Sequence, residues 1–187
     1  NQADKQLRKR GVSKKNRPAK PEKSPNYPTI PEIALRLLAE FHAAFPQLVI
    51  QGVLADNVYG THAFLDKASA IFGGVQVISN LRKNQTVRFQ GQTMHVTTLF
   101  TRYPGVRQTI RIRGGDEVSV WVSSARVSVC AHETKRFVIA LKYEGEEAYR
   151  DLVASDLSWR TLDIVQAHPF RWLIEVFFQD WKAYEGW

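Results

Sequence analysis

From about residue 85 to residue 143 the hydrophobic pattern of this chain runs at a period of two, and on either side of that stretch it does not. The segments "TVRFQ", "MHVTTLF", "QTIRIRGG", "EVSVWVSSARVSVCA" and "RFVIALKYEG" alternate apolar and polar residues, as strands with two differently used faces do. "GGD" and "AHETK" stand between them as hairpin turns. A sheet-rich middle must therefore be reconciled with flanks of another kind. Upstream, "TIPEIALRLLAEFHAAF" places Ile33, Leu37, Leu38 and Phe41 at helical spacing, with Thr29 as N-cap, Pro31 in the first turn and Pro46 beyond the end. "QLVIQGVLAD" is a continuous apolar run ending at Asp56, as a buried strand of a parallel or mixed sheet would be. "NVYG" is then a turn, "THAFLDKASAIFGG" a helix closed by Gly73 and Gly74, and "VQVISNLRKN" a further strand. Downstream, "YRDLVASD" makes a short strand, and helices beginning near Asp156 or Ser158 should return to the core. The pattern is an α/β core interrupted by a β-rich insertion.

With 187 residues, 44% of them hydrophobic, the chain can bury one substantial core. No run reaches the eighteen or so apolar residues that span a bilayer, and no signal-peptide pattern opens the chain, so a membrane partner is not expected. The single cysteine, Cys130, excludes an internal disulfide and suits a reducing cytoplasm. Cys130 and His132 make a poor metal pair without further ligands, and Cys130 reads as a buried strand residue.

Charge is concentrated at one end. Residues 1–28 carry nine Lys and Arg against Asp4 and Glu22, a balance of +7 out of a total of +8. With four prolines and few apolar residues, this segment builds no core. Arg8, Lys9, Arg10, Lys14 and Lys15 suit a polyanion, most simply nucleic acid; the plainer alternative is a solvated linker. Arg107, Arg111, Arg113 and Arg126 in the β-rich stretch are the second choice for such contacts. Trp121 is either a sheet-packing residue or a stacking platform for a base.

Two carboxylates draw attention. Asp56 lies at the carboxyl end of a strand, where open α/β sheets gather ligands, although a turn-forming Asp is the commoner occupant of such a position. Glu175 is the one glutamate within "RWLIEVFFQDWK". On a helix, Arg171, Glu175, Gln179 and Lys182 form one polar stripe opposite Phe170, Leu173, Ile174, Phe177 and Trp181. A simple Arg171–Glu175 pair at i,i+4 would account for the acid. An Asp and a Glu brought together would instead suit Mg²⁺, with Mn²⁺ as a substitute, leaving positions for water and phosphate oxygens. Arg171 and Lys182 would then meet phosphates.

The spacing Arg171–x3–Glu175–x6–Lys182 resembles the Tyr-Arg-Glu-Lys signature of DDE-type insertion-sequence transposases. "LADNVYG" resembles the segment around that family's second catalytic Asp, and "DKQLRKRGV" the basic linker upstream of it. His168 stands where the signature has Tyr, and can still donate to a phosphate. The resemblance implies an RNase H-like mixed sheet with a β-rich insertion and C-terminal helices. Residues 1–28 would be the basic linker, 29–84 the first part of the core, 85–143 the insertion and 144–187 the C-terminal helices of the core. Asp56 and Glu175 would be the second and third metal-binding acids, and His168, Arg171 and Lys182 would lie on the DNA. No acid upstream of Asp56 ends an apolar strand. The resemblance therefore implies a piece lacking the first strands and the first acid, inactive by itself, with Asp4 the first residue to examine as a substitute ligand. The implied activity is metal-dependent cleavage of transposon-end DNA followed by attack of the freed 3′-hydroxyl on target DNA. Double-stranded DNA is the implied partner, with a homodimer in the DNA complex and a place near the prokaryotic nucleoid. An RNase H-like nuclease without strand transfer and a non-catalytic DNA-binding remnant are the alternatives.

Overall fold

The computed structural model describes residues 2–17, 27–82, 84–112 and 115–185, without the side chains of the first few and of Lys14. The expected helix is α2, Ile30–Ala44, preceded by a short α1, Gln2–Lys9. Thr29 and Glu32 close a full capping box at the start of α2: the Thr29 hydroxyl accepts from the Glu32 N–H, and the Glu32 carboxylate accepts from the Thr29 N–H at 2.7 Å. These bonds hold the Glu32 carboxyl below its usual pKa. Strand β1 is Gly52–Ala55, shorter than the apolar run that announced it. Leu48 and Val49 of that run stay exposed outside the strand. Helix α3, His62–Ile71, ends at Gly73 and Gly74, whose φ of 76° and 97° lie in the left-handed region that a side chain disfavours.

Strand β2, Gln76–Asn80, runs parallel to β1, pairing Gly52 with Gln76 through Ala55 with Ser79. Strands β3 (Thr86–Phe89) and β4 (Gln92–His95) form a hairpin through Gln90 and Gly91, both at positive φ. The strand expected over "MHVTTLF" stops at His95; Val96–Arg102 is helix α4. Its sequence fits both periods. The i, i+3, i+4 set Val96, Leu99 and Phe100 is buried, so packing against the core selects the helix. Strands β5 (Val106–Arg111), β6 (Glu117–Val129) and β7 (Thr134–Tyr143) follow as two antiparallel hairpins. The turn into β7 is a 3-10 turn, Cys130–His132, completed by Glu133 in the left-handed region. It reverses the expectation for Cys130, which leaves the strand and is exposed, while His132 is buried.

Strand β8, Arg150–Ala154, inserts between β2 and β7, so one mixed sheet runs β1-β2-β8-β7-β6-β3-β4 with β5 on β6. Among the described residues only the β1–β2 pair is parallel. Both faces of the sheet are covered. In β7 the even residues Val138 and Ala140 join α3 and α4 in one apolar cluster, while Phe137, Ile139 and Leu141 join helix α5, Thr161–Ala167, in the other. Helix α5 thus returns to the core as its sequence predicts.

The last helix does not. Residues His168–Trp172 form a 3-10 turn leading into α6, Leu173–Glu185. Phe170, Leu173, Ile174, Phe177 and Trp181, expected to face a core, are exposed; Phe177 is 52% accessible. Phe177 packs only edge-on against Phe178 and Trp181 of its own helix. At the far end of the sheet, β1 pairs with β2 alone among the described residues.

Candidate active site

The parallel pair β1 and β2 ends with Asp56 and Asn80 side by side, one step beyond the Ala55–Ser79 register pair. Backbone geometry makes this end rigid. Asp56 caps the 3-10 turn Asn57–Tyr59, its Oδ1 accepting from the Asn57 N–H at 2.7 Å. The Ser79 hydroxyl donates to the Asp56 carbonyl at 2.8 Å. Gly60 then returns the chain across β2. A Cβ there would lie 2.4 Å from the Asn80 carbonyl oxygen, so only glycine permits the approach.

Asn80 links Asp56 to the distant His168. Its Nδ2 donates to Asp56 Oδ1 at 3.4 Å, and its Oδ1 lies 3.2 Å from His168 Nε2. His168 opens the 3-10 turn before α6 and is 6% exposed. Burial, then the positive charges of Arg171 and Arg150, lower its pKa to about 4, against an opposing pull from Asp56; the imidazole is neutral near pH 7. One turn on, Arg171 Nη1 donates to Glu175 Oε1 at 3.1 Å, realising the i,i+4 pair. Arg171 Nε is buried and has no hydrogen-bond partner among the described residues. The turn that opens at His168 therefore meets Asp56, through Asn80, at the carboxyl end of the parallel strands.

A cleft of about 830 Å³ opens beside this point. Arg111, Tyr143, Arg150, His168, Arg171 and Trp172 line it, giving cationic and aromatic walls. Arg150 is paired with Glu146 and lies over the Tyr143 ring at 5.4 Å from its centroid. Burial raises the pKa of the Tyr143 phenol above its usual value.

The remaining sequence candidates are spread out. Lys182 is exposed on α6. Arg8, Lys9, Arg10 and Lys15 are exposed in or after α1, whereas the side chains of Lys14 and Asp4, and Arg113 and Glu22 as a whole, lie outside the described residues. The other arginines of the β-rich stretch are engaged: Arg107 with Glu144 at 3.0 Å, Arg111 with Glu117 at 3.4 Å, and Arg126 with the Leu157 carbonyl while stacked 4.3 Å over Phe137. Trp121 is 40% exposed on β6, opposite Arg107 and Lys142.

Among the described residues no group of three or more His, Cys, Asp and Glu side chains converges as a metal cluster. The Asp56 carboxylate by itself suits a hard cation as one part of its shell, since Mg²⁺ is commonly held by one or two carboxylates with water and phosphate oxygens completing the octahedron. Asp56 Oδ2 accepts no hydrogen bond among the described residues and is free for that role.

Residues 2–132 match the sequence model of the DDE superfamily endonucleases, well over half of the chain. The chain belongs to that family. Its mixed α/β sheet with a β-rich middle and C-terminal helices is the RNase H-like architecture the resemblance implied. The family is one of nuclease- and transposase-type enzymes that act on DNA with divalent metal ions. The comparison with curated proteins gives no match. Among the described residues no helix is long and apolar enough to cross a membrane. Asn80, absent from the sequence candidates, carried a readable signal: like Asp56, it is a polar residue at the carboxyl end of an apolar strand.

Proposed function

We propose that this chain is part of a DDE transposase, in which Asp56 and Glu175 are two of the three acids that bind Mg²⁺. A chain of contacts leading from Asp56 toward Glu175 supports the reading. The strand-end carboxylate is joined through Asn80 to the turn that carries His168 and Arg171, and Arg171 in turn holds Glu175. When bound, the cation supplies a lowered pKa for water and stabilisation of the leaving oxygen. The chain's own residues supply the rest. Asp56 presents its free oxygen at the end of a rigid strand pair. Arg171 would turn its guanidinium to a phosphate oxygen, since releasing Glu175 to a cation would free its Nη1. Lys182 and the basic residues Arg8, Lys9, Arg10, Lys14 and Lys15 would add phosphate contacts along the duplex. His168 lines the same cleft in the signature's Tyr position.

The sheet order gives this reading a further consequence. The open edge of β1 and the uncovered apolar side of α6 are where upstream strands bearing a first acid would pack. In this reading residues 1–28 form the linker, 29–84 and 144–187 the two parts of the core, and 85–143 the insertion that extends its sheet. The 187-residue chain alone should not cut DNA. A chain extended upstream should cleave transposon-end DNA in Mg²⁺ and transfer the 3′ end into a supercoiled plasmid. Asp56→Asn and Glu175→Gln should each abolish both steps. Cleavage without any joined product would favour a nuclease lacking strand transfer. Metal-dependent nicking by the short chain that Asp56→Asn removes would sink the idea that a further acid is needed.

A further inference from the structure

The hydrogen bonds around Asn80 can be ordered by proton inventory alone. An ionised Asp56 carboxylate only accepts, so Asn80 must turn its NH₂ toward Asp56 Oδ1 and its carbonyl oxygen toward His168. That oxygen needs a donor, and His168 Nε2 lies within hydrogen-bond distance of it at 3.2 Å. The neutral imidazole has one N–H, which must therefore sit on Nε2. Each member of the line is held from outside it: Asn80 by the tight Gly60 crossing over its carbonyl, His168 by burial in the turn before α6.

We propose that Asn80 is a positioning residue: its carboxamide, braced by the Nε2–H of His168, fixes Oδ1 of Asp56 and leaves Oδ2 turned to a divalent cation. This rests on the reading of Asp56 as a metal ligand. With Oδ1 occupied by the Asn57 N–H and the Asn80 amide, the carboxylate cannot rotate to offer either oxygen, or both, without losing those bonds. The ligand is thereby held to one oxygen, a restriction suited to the strict octahedral demands of Mg²⁺ and less to the looser shell of Ca²⁺. Hydrogen-bond partners of metal ligands commonly change metal affinity tenfold to a hundredfold when removed.

Mn²⁺ alone serves as the probe, with its affinity read by electron paramagnetic resonance and the His168 tautomer read by ¹⁵N NMR on the metal-free chain. The expected results are an Nε2–H tautomer for His168 and Mn²⁺ affinity reduced at least about tenfold in Asn80→Ala. His168→Leu, which removes the donor, should weaken Mn²⁺ similarly, and His168→Gln, which restores an N–H, should recover most of the affinity. If Asn80→Ala does not fold, the His168→Leu and His168→Gln pair decides the matter. An Nδ1–H tautomer overturns the proposal. So does wild-type affinity in Asn80→Ala and His168→Leu while Asp56→Asn loses Mn²⁺, an outcome that leaves Asp56 a ligand. Undiminished Mn²⁺ binding in Asp56→Asn removes the metal reading itself and this proposal with it, whatever the tautomer.

Discussion

Acid should loosen this protein through His168 as the pH falls below about 6.5. The folded chain holds the imidazole between Asn80 and the guanidinium groups of Arg171 and Arg150, out of water, with a pKa lowered from 6.5 to about 4. Unfolding releases the ring to its ordinary value near 6.5, so the unfolded state takes up a proton first as pH falls. The stabilising contribution is thus fully present above pH 6.5 and lost progressively from there down to about 4. At about 1.4 kcal/mol per pH unit, the loss reaches roughly 2 kcal/mol at pH 5 and about 3 kcal/mol by pH 4. Burial and Arg136 lower the pKa of His132 too, so a smaller loss of the same sign accompanies it. Urea unfolding at pH 7 and pH 5 measures the effect. Wild type should lose about 2 kcal/mol from His168, and His168→Gln, which cannot titrate, should escape most of that loss. Parallel losses in the two proteins would refute the assignment of acid sensitivity to His168.

Three further outcomes follow from particular contacts. In the metal-free chain Asp56→Asn and Glu175→Gln should leave the melting temperature unchanged or slightly raised. The exposed Arg171–Glu175 pair is worth at most about 0.5 kcal/mol, and a metal-site acid adds repulsion when no cation is present. A loss above about 2 kcal/mol would make either acid a structural residue. Gly60→Ala should destabilise the chain by about 1–3 kcal/mol in thermal melts, because its Cβ collides with backbone at Asn80 and cannot be relieved by a side-chain rotation. A neutral effect would mean that the 57–60 turn moves freely. Neutralising Arg8, Lys9, Arg10, Lys14 and Lys15 together should flatten the plot of log K against log salt for duplex DNA by a few units, at about 0.9 per lost phosphate contact. An unchanged slope, measured by fluorescence anisotropy, would make the segment a solvated linker.

Much of the fold could be read from local chemistry. Thr29 and Pro31 announce the start of α2, Gly73 and Gly74 the end of α3, and the alternation from Thr86 to Tyr143 the hairpins. The failures came where tertiary burial chose between two patterns. "MHVTTLF" satisfies both periods, and only the buried trio Val96, Leu99 and Phe100 selects the helix. Cys130 continues an apolar alternation, yet the chain turns at that point and exposes it. The apolar side of α6 was legible as a surface meant for burial, but sequence cannot say whether its cover lies within these residues. Of the site, Asp56 and Glu175 stood out because each is an acid in an apolar setting. The link from Asp56 to His168 did not, since Asn80 reaches Asp56 only through the parallel register of β1 and β2, and His168 only after the chain has crossed the sheet.

The claim that matters most is that Asp56 holds a divalent cation through its unengaged oxygen. Crystals of the chain soaked in Mn²⁺, with data collected at the manganese absorption edge, test it directly. The account predicts an anomalous peak about 2.1 Å from Asp56 Oδ2, with Oδ1 still bonded to Asn57 and Asn80. A peak that ignores Asp56 and settles on other side chains, such as His62 and Asp66, would contradict it.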